Sequence, residues 1–306
     1  MEILTDDDLT ARVSMRDAVA AVEQALRDKG NGRFVTPPRH YATLGSGTFV
    51  FTIGGGSGDG VAGFRVYGFG GLSNEASQLV VVYDAATGQL RGIVQGTRVG
   101  AMRTGALGGV AIKYAAREDA SAVAVIGAGT QARTQLEAAA VVRSLKDVRV
   151  YSRTPGSREA FAQEMGEQLG LDIRPVASTE EAIRGADIVI TATSSSSPTW
   201  DAALIEPGMH VTSIRLARSA HEVDPAIGEQ AAAIFTGSME QLRSYPGGFF
   251  LEDRIDSVTD LADHVATDRP VRTSSEQVTF YCSTGLSGTE VVVADLALSA
   301  SQRSGS

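Results

Sequence analysis

Residues 123–132 read Val-Ala-Val-Ile-Gly-Ala-Gly-Thr-Gln-Ala, an apolar run that ends in two closely spaced glycines. Gly127 allows a tight turn there, and Gly129 lets the backbone come close to a bulky anion. Ala132 stands where a third glycine is common, a replacement that close helix–strand packing tolerates. A helix expected from Thr130 opens with the free amides of Thr130 and Gln131 and with the positive end of its dipole, a natural seat for a pyrophosphate. Alone, the glycine pattern is weak. Here it lies between an expected strand at 122–126 and an expected helix at 130–144, and a second strand ends at Tyr151. After that strand come Ser152, Arg153 and Thr154, without an acid. An NAD(H) site commonly carries Asp or Glu there for the ribose hydroxyls, whereas a guanidinium can pair bidentately with a 2′-phosphate. The chemistry indicated is nicotinamide redox chemistry, with NADP(H) favoured over NAD(H). The alternative for Arg153 is a solvated loop arginine.

Several elements must position these groups. Near the N-terminus Asp6 to Leu9 offer a capping region, and Val19, Val22 and Leu26 fall on one stripe of an expected helix. Residues 39–94 change character. The runs 48–53, 63–67 and 79–83 are rich in β-branched and aromatic residues and are separated by glycine clusters (54–56, 70–71) and a turn at 84–88, which predicts antiparallel hairpins. A small-residue helix is expected over 105–116. From Asp119 onward strands and helices alternate, at 122–126, 130–144, 148–151, 157–169 and 188–192, the pattern of a parallel sheet covered on both faces. The tail carries a strand from Thr279, a helix over 290–298 and a polar SQRSGS end expected to fray. The fold class is therefore α/β, a Rossmann-type doubly wound parallel sheet joined to an antiparallel α+β domain.

Composition removes other classes. The length of 306 residues suits about two domains, and 43% hydrophobic with 21% charged residues is a folded composition. A net charge of −9 without a basic tract argues against a nucleic-acid surface. The one cysteine, Cys282, can form neither an internal disulfide nor a thiolate metal site, and His40, His210, His221 and His264 have no paired-ligand spacing. No metal is expected. The acidic MEILTDDDL start lacks a signal-peptide pattern, and no apolar run approaches the ~20 residues of a membrane span. A cytoplasmic enzyme is expected.

The segments VVVYDAATGQLRGIV, AMRTGALGGVAIKYAAR and VIGAGTQARTQLEA, then Thr191-Ala192-Thr193 and the closing DRPVRTSSEQVTFYCSTGL, resemble the ornithine cyclodeaminase and mu-crystallin family. That family also includes ketimine reductases and an archaeal type of alanine dehydrogenase. The likeness covers nearly the whole chain. It implies a substrate-binding and dimerisation domain from 1–117 and 284–306, with the dinucleotide domain, 118–283, inserted. It also implies a homodimer that joins the antiparallel sheets, a sensible use for strand edges. In the family pattern Arg39 (TPPRHY) and Arg103 (AMRTG) fall on positions that grip a substrate carboxylate, for which paired guanidinium forks are well shaped. Thr104, Thr191, Ala192 and Thr193 fall in the surroundings of the cofactor.

Two departures matter. Where the family has lysine, this chain has Arg65, which keeps the charge but cannot exchange a proton near neutral pH. Around Ala217, where an acid handles the substrate amine in cyclodeaminases, the text is Arg-Leu-Ala-Arg-Ser, and the next carboxylate is Glu222. Both argue against ammonia elimination with ring closure. His40 is a candidate proton donor, with an exposed loop histidine as its alternative. Tyr67, on the strand face of Arg65, is read as lining only, as are Glu75 and Glu222. The leading expectation is an NAD(P)H-dependent oxidoreductase of a small imino or amino acid, with Arg39 and Arg103 fixing the carboxylate and Arg65 adding positive charge. The alternatives are a cyclodeaminase-type lyase and a crystallin-like binding protein without turnover.

Overall fold

The computed structural model describes residues 2–56 and 60–304. Two compact units divide the chain: Met1–Arg103 with Gly285–Ser306, and Thr104–Thr284. The sequence-based boundary at 117/118 falls inside the second unit, because the helix that carries Arg103 is longer than its small-residue stretch suggests.

In the first unit the strands are β1 (Glu2–Leu4), β2 (Phe34–Val35), β3 (His40–Leu44), β4 (Gly47–Gly56), β5 (Val61–Gly70), β6 (Leu79–Asp84) and β7 (Leu90–Gln95). They form one sheet in the order β1-β7-β6-β5-β4-β2, with β3 also on β4. Residues 54–56 were expected to end a strand, yet they extend β4. Their lack of side chains serves close approach instead: a Cβ on Gly54 would meet the Val35 carbonyl. Glycine works the same way under the C-terminal helix Thr289–Ser304, which packs on β5; side chains at Gly63 and Gly92 would meet Val291 and Leu298. The end expected to fray is helical through Ser304, and residues 305–306 lie outside the described residues.

The single N-terminal helix expected is two, α1 (Asp6–Arg12) and α2 (Met15–Gly30). Each starts at its own capping box, Thr5 with Asp8 and Ser14 with Asp17, and this second start breaks the run. α3 (Arg98–Ala115) begins seven residues before the expected 105. Its start is fixed from far away in sequence: the Asp6 carboxylate accepts from the amides of Thr97 and Arg98, both at 2.9 Å. Arg103 therefore lies inside this helix rather than opening it.

The second unit is built on β8 (Ala122–Ile126), β9 (Asp147–Tyr151), β10 (Ile173–Pro175), β11 (Ile188–Thr191) and β12 (His210–Ser213). A small hairpin, β13 (Leu216–Ala217) and β14 (Ala220–His221), follows, then β15 (Ala233–Thr236), β16 (Thr259–Asp260) and β17 (Thr279–Cys282). The parallel sheet runs β10-β9-β8-β11-β12-β17-β15-β16. Its central strands are apolar and buried; Val123, Ala124, Val125, Val189 and Ile190 are 0% exposed. Such runs are what burial on both faces requires. Helix α4 (Thr130–Val142) follows β8, and α5 (Pro155–Leu169) follows β9. The chain moves outward from β8 in both directions, so the strand order reverses between β8 and β11. Ligands of open α/β sheets bind beyond the strand ends at that switch point.

Candidate active site

At that switch point the second unit has a cavity of about 780 Å³. Gly127, Gly129, Thr130, Gln131, Ser152, Arg153, Thr154, Ala192 and Thr193 line it, together with others from the same loops. Gly127 has φ +115°, and a Cβ there would overlap the Ala192 carbonyl, so no other residue fits without strain. Gly129 is extended and faces open space, so its missing side chain leaves room for a ligand rather than for a turn. No side chain caps α4, and its first amides are free to bind an anion. These features fit a dinucleotide pyrophosphate.

Three residues expected near the cofactor do not line this cavity. Ala132 is buried under the turn, where its small size serves packing. Thr191 is buried, and its hydroxyl accepts from the Trp200 indole at 3.1 Å. The Thr104 carbonyl accepts from the Gln135 amide at 3.1 Å. At the end of β9 Arg153 is exposed and has no carboxylate partner among the described residues. Arg158 is nearby, donating to the Ser152 carbonyl at 3.0 Å.

The loops after β11 and β12 are fastened by one carboxylate. Glu222, fully buried, accepts from the Thr193 amide at 2.6 Å and hydroxyl at 2.8 Å, from Ser213 Oγ and the Ile214 amide at 3.0 Å, and from the Arg215 amide at 3.1 Å. Burial raises its carboxyl above the ordinary value, against these donors, which favour the charged form. Glu222 thus shapes the rim of the cavity and does not line it. Ala217 pairs with Ala220 across the β13–β14 hairpin, so no acid stands there. His210 is buried between Thr279 and Thr212 and pushed down to about 3 by that burial, which makes it a neutral packing residue.

The first unit holds a cluster of charge. Thr52, Arg65, Val80 and Val94 sit side by side on β4, β5, β6 and β7. Arg65 is 7% exposed and Arg103 4%. Arg65 donates to Gln78 Oε1 at 2.5 Å, and its guanidinium lies 4.3 Å from the Tyr67 ring centre. Arg39 and Arg103 converge on Gly285, at φ +74°, where a Cβ would overlap a terminal nitrogen of each. Their counter-ion was not foreseen. Glu290, at the start of the C-terminal helix and 0% exposed, pairs with Arg103 at 3.1 Å and accepts from the Thr52 hydroxyl at 3.2 Å. Burial opposes its charge, yet Arg103, then Arg65 and Arg39, hold it below its usual range. The one signal in the sequence was an acid heading an otherwise apolar helix. His40 and Glu75 are exposed, and no described contact joins His40 to the arginines.

A doubly wound sheet with an anion-binding glycine turn at its switch point defines a dinucleotide-binding enzyme. More narrowly, residues 1–302 match the ornithine cyclodeaminase/mu-crystallin family, and the chain belongs to it. A Delta(1)-pyrroline-2-carboxylate reductase of Bacillus cereus is 30% identical over 227 residues, 71% of this chain and 68% of that protein. The same-named enzyme of Thermococcus litoralis, solved with NADH and L-proline, superposes with a TM-score of 0.90 at 28% identity, covering 100% of this chain and 98% of that one. An archaeal alanine dehydrogenase dimer with bound NAD gives 0.87 at 27% identity, covering 99% and 97%. No helix among the described residues is long and apolar enough to cross a membrane.

Proposed function

We propose that the protein is an NAD(P)H-dependent oxidoreductase that interconverts the C=N bond of a small imino acid and the CH–NH bond of the amino acid. The observation that carries this reading is the convergence of Arg39 and Arg103 on Gly285, an α-carboxylate grip in a chain that also has a dinucleotide turn. Bound at that turn, a reduced nicotinamide supplies a hydride to the imino carbon. The first unit's own residues bind and orient the carboxylate, with Glu290 and Thr52 fixing Arg103. The nitrogen enters as the protonated imine, so the reduction needs no proton-cycling residue at Arg65. Relatives named as reductases of a cyclic imino acid support the reading.

Arg153, with Ser152 and Thr154 beside it, supports NADP(H) as the preferred cofactor. A homodimer is supported by the sheet face away from Arg65, where Ile53, Phe64, Val81, Ile93 and Ile3 form one apolar row across five strands. Ile53 is 53% exposed and Ile3 54%, large for side chains of this kind. A second copy of the same sheet would cover them, and a sedimentation measurement at micromolar concentration should find two chains.

The direct test follows NADPH loss with pyruvate plus ammonia and with cyclic ketimine acids. Steady oxidation is expected. In parallel, L-ornithine with catalytic NADP⁺ or NAD⁺ should release little ammonia or proline. Brisk, redox-neutral proline formation would replace this reading with a lyase, and no turnover of any kind with a binding protein.

A further inference from the structure

One arginine in the cluster exceeds what an α-carboxylate needs. Two guanidinium forks hold one carboxylate in a defined plane, and Arg39 and Arg103 already provide them. Arg65 adds a third, buried charge whose side-chain hydrogen bond goes to Gln78, a neutral amide. The nearby carboxylate, Glu290, is bound to Arg103 instead. Arg65 Nε is buried and without a hydrogen-bond partner, as are Nε and Nη1 of Arg103. A buried cation with an unmade hydrogen bond and no ion pair is destabilising unless a ligand brings the missing charge. Helix α3 makes room for this group at some cost to itself. A side chain at Gly100 would overlap Cζ and both terminal nitrogens of Arg65, so glycine, a poor helix former, stands there. Lysine would need less room, and its charge could fall with burial; arginine keeps its charge.

We propose that Arg65 receives a second carboxylate, so that the preferred substrate is the imine of a dicarboxylic 2-oxo acid and, in the reverse direction, a dicarboxylic amino acid. This rests on the imino-acid reading above for the identity of the reacting group, but the charge argument concerns binding alone. Arg39 and Arg103 hold the carboxylate next to the imino carbon, and Arg65 holds the distal one. A substrate with one carboxylate leaves Arg65 unpaired.

Binding is tested first, because it does not depend on turnover. Succinate and propionate, which share a short chain but carry two and one carboxylates, are titrated into the full-length protein with and without NADPH. Succinate should bind at least about 30-fold more tightly, the lower end for pairing a buried charge. Arg65→Met should remove that preference while propionate affinity changes less than about threefold. Arg65→Lys, which keeps a charge, should retain part of it. Equal affinities in the wild type overturn the proposal whether or not the variants fold, and so does an Arg65→Met protein that weakens both ligands alike. Turnover then compares aspartate and glutamate with alanine and proline as NADP⁺-linked substrates. A succinate preference without any such turnover leaves the second-carboxylate site standing and removes the reductase reading. Turnover of monocarboxylic substrates with no succinate preference does the reverse.

Discussion

The two units each bury a glutamate beside their functional groups, and they satisfy it in opposite ways. Glu222 is met by three backbone amides and two hydroxyls, neutral donors from neighbouring loops. Glu290 is met by a guanidinium and one hydroxyl, and its Oε2 is left buried without a partner. The first arrangement is a fastener, with most of its capacity used inside the protein. The second keeps unmade bonds among charged groups: Arg65 Nε, Arg103 Nε and Nη1, and Glu290 Oε2. Buried polar atoms are nearly always paired, so a concentration of exceptions marks where a ligand completes the structure. The dinucleotide cavity is shaped by backbone, and the carboxylate cradle by balanced charge.

The largest effect should come from unbalancing that charge. Glu290→Ala strands Arg103 in a buried site and should cost about 3–5 kcal/mol of stability in urea unfolding. Replacing Arg103 and Glu290 together by leucine should recover much of this, because the uncompensated charge is gone. Strict additivity of the two single changes would show that the pair is not coupled and would break the contrast with Glu222.

The backbone-built site should fail differently. Gly127→Ala forces a side chain into φ +115° and against the Ala192 carbonyl, so it should lose about 1–3 kcal/mol of stability along with dinucleotide binding. Gly129→Ala meets nothing within 4 Å, so the fold should hold while NADPH binding weakens. A Gly129→Ala protein that binds NADPH like the wild type would remove the close backbone approach from the account. A smaller effect is expected at Arg153→Ala. NADPH affinity should fall about 10- to 100-fold, the worth of a charged hydrogen bond or two, with NADH affinity nearly unchanged. Equal losses for both would show that Arg153 does not read the 2′-phosphate.

This contrast also explains what the sequence disclosed. Strand 122–126, the glycine turn and the start of α4 were legible to the residue, because local chain chemistry sets them. The three arginines were legible only through likeness to a family, and Glu290 not at all, since nothing local announces that a helix-leading acid will face Arg103. The start of α3 was misread for the same reason: Asp6, 91 residues before Thr97, supplies the cap. Likewise the glycines of β4 were read as breakers, although a strand pressed against Val35 requires them. Tertiary partners decided each of these cases.

The finest test of the comparison is the sign of two pH dependences. The folded Glu290 carboxyl lies below its ordinary value of 4.5. Its stabilisation is therefore present above about pH 4.5 and is lost as pH falls through the lower, folded value. Glu222 lies above 4.5 in the folded protein. Its contribution has the opposite sense: it is full below about pH 4.5 and is lost as pH rises through the higher, folded value. Glutamine at either position abolishes titration, whatever it does to stability at a single pH, so the readout is a slope. Against the wild type, Glu290→Gln should flatten the acid limb of stability, measured by urea unfolding from pH 3.5 to 5. Glu222→Gln should remove a loss of stability on the other side of pH 4.5. Each change is bounded by about 1.4 kcal/mol for every pH unit the folded value has moved. If the two variants changed the profile in the same direction, neutral donors and guanidinium would be electrostatically alike here, and the distinction between fastener and ligand cradle would lose its footing.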